Sequence, residues 1–276
     1  MDSSKIGGII AAKRRALGLT QQALAEKLHI SFQAVSKWEN GTANPDIEML
    51  PQLAGILNTT TDALLGYSAA AVSIYEARYQ QEGYYWGLVP NRLCYEVLQK
   101  KPPVKPWRVL DIGCGEGKDA VFLARNGYQV SAFDISETGI AKARALAENN
   151  GVHVDFFLAD AADYRPEEEF DIIYSSGVLH FVAVGVRQEL FDHLKSHTAP
   201  DGLHAVNVFV EKPFIRRADD KDGCRQLWKS GELFMYYHDW IFLRADEEIF
   251  DCNSGGVPHK HCMDILVAKR GDKQEI

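Results

Sequence analysis

The chain has 276 residues, 46% apolar and 25% charged, with a formal net charge of −8. That length fits one large domain or two modest ones of ordinary globular composition. The acidic sum excludes a generic nucleic-acid binder, and the absence of any apolar run near ~20 residues excludes a membrane-spanning helix. The opening "MDSSKIGGIIAAKRR" has charges on both sides of a short apolar stretch and no small-residue cleavage motif, so no signal peptide is expected. Five cysteines, at 94, 114, 224, 252 and 262, are few and odd in number and read as free thiols of a cytoplasmic protein.

The charge is uneven. Residues 1–66 hold six basic and six acidic groups, so the whole deficit lies beyond residue 66. Short helices with sharp stops fill this first segment. In "KIGGIIAAKRRALGLT", Ile6, Ile9, Ile10 and Leu17 fall on one helical face. Gly18 ends that helix and Thr20 caps the next, where Leu24, Ala25 and Leu28 face inward. Ser31 caps a third helix, whose Val35 and Trp38 share a face, and Gly41 stops it. "PDIEMLPQLAGIL" and "TTTDALLG" supply two more.

Two helices joined by a turn of three or four residues make a helix-turn-helix. The spacing from Gln21 fits that geometry, and a small Ala25 lets the helices approach. "LTQQALAEKLHISFQAVSKWENG" resembles the core of the Cro/repressor (XRE-like) family, and all five helices have a counterpart. One position departs: the tight turn usually has glycine and here has His29, a residue that tolerates positive φ better than most. The resemblance implies that the third helix enters the major groove of double-stranded DNA, with Ser31, Phe32, Gln33 and Lys37 facing it. Gln33 would pair with adenine, and Lys37 would reach guanine or phosphate. Gln21 would touch phosphate through its side chain and the helix N-terminus. The zero net charge of this segment counts against a large phosphate-driven affinity.

Residues 67–78 lie between a 1–66 domain and a 79–276 domain, and their opening small-residue run "YSAAAVS" (67–73) reads as a short linker or the start of a helix. Beyond it, "RVLDIG", "QVSAFDI", "VDFFLAD", "FDIIYSS" and "LHAVNVFV" read as buried strands. Helical segments alternate with them, which implies a parallel, doubly wound sheet with ligands at the carboxyl ends of its strands. "WIFLRADEEIFDC" and "CMDILVAKR", joined through "SGGVP", read as a terminal antiparallel hairpin.

The loop after the first strand runs Asp111-x-Gly113-x-Gly115-x-Gly117. This is not the G-x-G-x-x-G of nicotinamide enzymes. Glycines at every second position let a ligand approach the backbone. Asp111, Asp134 and Asp160 each close a strand, and an acid at that place repels diphosphate but suits a cationic nucleoside. S-adenosylmethionine meets that description.

Residues from about 84 to 270 resemble class I S-adenosylmethionine-dependent methyltransferases with a Rossmann-like, seven-stranded sheet, most of all the tellurite-resistance (TehB-type) branch. The general motifs are "VLDIGCGEG", "AFDIS", "LAD" and "FDIIYSSGVLHFV". The branch-specific pieces are "YYWGLVPN", "EKPFIRR", "LWKSGEL" and "FDCNSGGVPHKH". The resemblance implies that Gly113, Gly115 and Gly117 line the methionine and ribose moieties and that Asp111 sits beside the amino group. Asp134 would hold the ribose hydroxyls, with Ile135 against adenine. Asp160 and Ala161 would meet the adenine edge, and Ser175 and Val178 would flank the sulfonium.

Methyl transfer from a sulfonium needs proximity and a dry site, with a base only where the acceptor must lose a proton. His180, just past the fourth strand, is the candidate base or, equally, a histidine packed on the helix that follows. Tyr84, Tyr85 and Trp86 are candidates to cover the cofactor or to serve the core. Arg216, Arg217 and Lys212 suit an anionic, small-molecule acceptor such as an oxyanion or form a solvated surface; the branch resemblance implies tellurite or selenite, with thiols and small organic acids left open. Cys252, His259, His261 and Cys262 have zinc-ligand chemistry. Strand alternation separates His261 from Cys262, so no metal is expected. A DNA methyltransferase is disfavoured: "SSGVLH" stands where amino-methylating enzymes carry Asp/Asn-Pro-Pro-aromatic. The leading reading is a small-molecule methyltransferase fused to a DNA-binding, transcription-regulating module. A second is a transcription factor whose second domain senses cofactor without turnover, and a third keeps the enzyme with the helical module as a dimerisation domain; a homodimer is compatible with all three.

Overall fold

The computed structural model describes residues 3–57, 59–65, 74–215, 226–253 and 258–271. The chain divides into two compact units, Met1–Val72 and Ser73–Ile276. The first contains α1 (Ser3–Ala16), α2 (Gln21–Leu28), α3 (Phe32–Glu39), α4 (Leu50–Ile56) and α5 (Thr61–Leu64). Thr20 and Ser31 cap α2 and α3 by accepting from the Ala23 and Ala34 N–H groups. His29 closes α2 at φ 55°, the left-handed geometry expected there. Ile6, Ile10, Leu24, Leu28, Val35, Trp38 and Leu53 form the core. Leu17 departs from expectation. Because α1 stops at Ala16, Leu17 leaves the apolar face and is 44% exposed. Gly7 explains how α1 meets α3, since a Cβ there would stand 2.0 Å from the Trp38 carbonyl oxygen.

The second unit is a seven-stranded sheet in the order β3-β2-β1-β4-β5-β7-β6. Its strands are β1 (Arg108–Ile112), β2 (Gln129–Asp134), β3 (Asp155–Leu158), β4 (Phe170–Ser175), β5 (Thr198–Val210), β6 (Ile241–Cys252) and β7 (His259–Lys269). Every pair among β1 to β5 is parallel, and β7 runs antiparallel to both β5 and β6. This is the Rossmann-like sheet with a terminal hairpin that the strand pattern implied. Its helices are α6 (Ile74–Tyr79), α7 (Arg92–Lys100), α8 (Lys118–Arg125), α9 (Glu137–Asn149), α10 (Val184–Ser196) and the short α11 (Glu232–Met235). The strand order reverses between β1 and β4, which opens a crevice at their carboxyl ends. At the end of the 67–78 segment, read as linker or helix start, α6 belongs to the second unit.

Two apolar cores cover the two faces of the sheet. Among the described residues, no helix is long and apolar enough to cross a membrane. The described cysteines 94, 114, 252 and 262 are all free thiols.

Candidate functional site

The glycine loop leaves β1 in left-handed turns, with φ of 74° at Gly113, 55° at Gly115 and 85° at Gly117. Each glycine also allows a close approach. A Cβ would stand 2.2 Å from Val178 at Gly113, 2.8 Å from the Tyr79 hydroxyl at Gly115 and 2.6 Å from Ala143 at Gly117. Gly117 therefore seats the loop against α9, the helix-packing role of a third glycine in such turns.

Asp134 organises the loop. Its carboxylate accepts from the Gly115 N–H at 2.9 Å and from the Ser136 N–H at 2.9 Å. Burial pushes its carboxyl up, and these backbone donors oppose the shift without cancelling it. Asp111 is 1% exposed, and its Oδ2 is buried with no hydrogen-bond partner among the described residues. Burial, then the charge of Asp119, pushes its carboxyl well above the usual range. Asp160 lies two residues beyond β3, half-buried, accepting from the Ala162 N–H at 2.8 Å. Ile135 and Ala161 are partly exposed beside these acids in the chain. Ser175 is fully buried, and its hydroxyl donates to the Ile112 carbonyl at 3.0 Å, tying β4 to β1.

Sequence reasoning missed the supports of this loop. Asp119 accepts from the Asn91 N–H at 2.7 Å, from Lys118 at 2.7 Å and from the Tyr174 hydroxyl at 2.9 Å. Asn207 fixes the turn after β4 by accepting from the Gly177 N–H at 2.7 Å and donating to Ser176 at 3.1 Å. Also missed was α6, whose Tyr75 and Tyr79 stand four residues apart, one helical turn. That spacing was the available signal, obscured where the segment reads as linker or helix start. Tyr79 lies over Gly115, and the Trp86 indole N–H donates to its hydroxyl at 3.3 Å. Trp86 contacts the rings of Tyr75 at 5.9 Å and Tyr85 at 4.8 Å. Glu76 accepts from the Ser136 and Thr138 hydroxyls at the start of α9. Lys142 holds Glu116 at 3.0 Å and donates to the Gln81 and Gly83 carbonyls. Tyr85 and Trp86 thus stand in an aromatic cover on the glycine loop.

His180, a candidate either for a base or for a packed side chain, is packed in this structure. It is 1% exposed, packed between Phe181 and Phe209 with both ring centroids at 4.3 Å. Burial, with smaller contributions from His261 and Arg187, lowers its pKa to about 3. A neutral, packed imidazole of that basicity orients neighbours and is a poor proton acceptor at neutral pH. Lys212 pairs with Glu247 at 2.6 Å, so it is not an uncommitted cation for an acceptor. Arg216 and Arg217 lie outside the described residues.

In the first unit, Ser31, Phe32, Gln33 and Lys37 are exposed on α3. The half-buried Gln21 amide donates to Glu39 at 2.7 Å, so its side chain serves the fold as well as the surface.

The acids fit S-adenosylmethionine. A cationic amino group matches the unpartnered, buried Asp111 oxygen, and a ribose diol matches an Asp134 held by backbone donors.

Two family models match the chain: a methyltransferase domain over residues 109–202 and a helix-turn-helix over residues 10–64. Among curated proteins, hemagglutinin 1 of Eikenella corrodens is 30% identical over 53% of this chain and 48% of its own length. The probable S-adenosyl-L-methionine-dependent methyltransferase TehB of Haemophilus influenzae is 26% identical over 56% of this chain and 53% of its own. The chain thus spans about half the length of the curated relatives it matches. The crystal structure of Haemophilus influenzae TehB superposes with a TM-score of 0.57 at 23% identity, covering 64% of this chain and 62% of that one. The chain therefore joins a helix-turn-helix domain to a Rossmann-like methyltransferase domain similar to that of TehB.

Proposed function

We propose that the second unit transfers a methyl group from S-adenosylmethionine to a small-molecule acceptor, and that the first unit binds double-stranded DNA. The observation that carries the first part is Asp111, a fully buried carboxylate with one oxygen unmatched among the described residues, at the start of the glycine loop. Bound there, S-adenosylmethionine supplies an electrophilic methyl group. Asp111 meets its amino group and Asp134 its ribose hydroxyls, while Gly113 and Gly115 give the loop beside them its left-handed turns, with Val178 and Tyr79 packed against it. Ile135, Asp160 and Ala161 border the adenine, and Ser175 and Val178 the sulfonium side. The buried Tyr79, held by the Trp86 indole N–H, excludes water from above the loop. An acceptor that is already a nucleophilic anion, such as a chalcogen oxyanion or a thiolate, suits a site whose buried histidine is a weak base.

On α3, the exposed Gln33 and Lys37 would read base edges, with Ser31 and Phe32 beside them and Gln21 at a phosphate. A homodimer belongs to this reading, as two modules reading paired half-sites. The test is S-adenosylhomocysteine release from the purified chain with tellurite, selenite, thiols and a metabolite extract, and Asp134→Ala as control. Release lost in the control supports turnover. Tight cofactor binding without release from any acceptor replaces the enzyme by a cofactor-sensing regulator.

A further inference from the structure

On β7, His259 and His261 are two residues apart and so share a face of the strand. Cys252 ends β6 directly opposite His259. The Cys252 thiol and one ring nitrogen from each histidine lie within 4.8 Å of one another, all three residues being half-buried. The two Nε2 atoms are 2.8 Å apart. Cys262 pairs with Ile249 and packs into the core of the other face, as alternation required. That alternation removes Cys262 and leaves a different triad, which only the cross-strand register assembles.

We propose that Cys252, His259 and His261 form a binding site for a divalent transition metal of the zinc class. One thiolate and two imidazoles are a borderline-soft donor set, whereas magnesium and calcium take oxygen ligands. Tetrahedral zinc holds its nitrogen and sulfur ligands about 3.3–3.6 Å apart, given bonds of roughly 2.0–2.3 Å. The observed spread brackets that value, so small side-chain rotations close the site. Phe209 stacks on the His261 ring at 4.7 Å, which fixes the imidazole plane. Three protein ligands leave a fourth position for water or an exogenous thiol or anion. The ligands come from both strands of one hairpin, so a bound ion also clips β6 to β7. The start of β7 lies beside Val210 at the carboxyl end of β5, the sheet edge that carries the glycine loop. The site does not depend on methyl transfer, because its test reads metal and not turnover.

The full chain, stripped with a chelator and kept reduced by a phosphine, is titrated with Co²⁺ and then with Zn²⁺. One equivalent of Co²⁺ is expected to give tetrahedral visible bands and a thiolate-to-cobalt charge-transfer band, both displaced by Zn²⁺. Cys252→Ser removes the charge-transfer band, and Cys262→Ser retains it. His259→Ala and His261→Ala each weaken Co²⁺ binding by about 100-fold, at least the loss seen when a mere supporting residue is removed. Circular dichroism confirms that each variant is folded. As a measurement needing no variant, Zn²⁺ is expected to protect Cys252 from alkylation in the unaltered chain, read by peptide mapping. No charge-transfer band, a band that survives Cys252→Ser, or a Cys252 that zinc leaves unprotected overturns the proposal.

Discussion

The two units treat a buried charge in opposite ways. In the first, Arg14 meets Glu39 through two hydrogen bonds of 2.6 and 2.9 Å, and Gln21 adds a third to the same carboxylate. Burial pushes the Glu39 carboxyl up, yet Arg14 and Gln21 outweigh it and hold it below the usual range. In the second, Asp111 is buried as deeply without an ion pair among the described residues; the acids Asp119 and Asp134 share its surroundings, and the nearby Lys118, which pairs with Asp119, offsets burial only in part. A charge matched within the chain stabilises the fold, whereas a charge left unmatched costs stability until a ligand matches it. The first arrangement serves structure, and the second is the one the proposed cofactor site uses.

The comparison fails or sharpens on four measurements. The largest effect is expected from Glu39→Ala, which leaves the Arg14 guanidinium with the Leu19 carbonyl but no countercharge and destabilises the first unit by about 3 kcal/mol. Thermal unfolding of the full chain reads this as an early transition confined to that unit; an unchanged profile would mean the pair is decorative. Next comes Asp111→Asn, expected to weaken S-adenosylmethionine binding by about 10–100-fold, the value of a charged hydrogen bond. The same change should hold or raise the unliganded melting temperature, since it removes an unmatched charge. Calorimetric titration and a melt together decide it, and a lowered melt with intact binding reverses the argument.

A third effect concerns Asp264 on β7, whose carboxyl burial raises to about 6, opposed in part by the Gly231 N–H. A raised folded pKa means that Asp264 stabilises the fold while protonated. That contribution is complete below the unfolded value of 3.8 and is lost as pH rises through about 6. Asp264→Asn should therefore raise the melting temperature more in mildly alkaline than in acidic buffer; equal gains at both would refute the assignment. The smallest effect is on DNA. Lys37→Ala is expected to reduce the salt dependence of binding by about one unit of slope and to leave melting unchanged. Fluorescence anisotropy across a salt series measures it, and an unaltered slope places Lys37 off the phosphates.

The legible parts of the chain were those whose signal is local. Thr20 and Ser31 announce helix starts because a cap acts within three residues. His29 in a turn needing positive φ, and strand ends bearing Asp111 and Asp134, were readable for the same reason. Residues acting across long separations were not. Asn207 supports a turn thirty residues earlier, and Tyr174 reaches Asp119 fifty-five residues away. Tyr79 was lost because a six-residue helix next to small residues carries too little periodicity to separate from a linker.

The sequence by itself determined the two-part organisation, the alternation of strands and helices, the terminal hairpin and the acids that close the strands. These follow from period, capping and turn chemistry, which act over a few residues. Tertiary structure alone decided what each polar group faces. It buried His180 and so lowered its basicity, left one Asp111 oxygen unmatched, and laid Tyr79 and Trp86 over the loop. It also set Cys252 across from His259 while turning Cys262 away. Desolvation and cross-strand register depend on which distant segments meet, and no local pattern encodes that meeting.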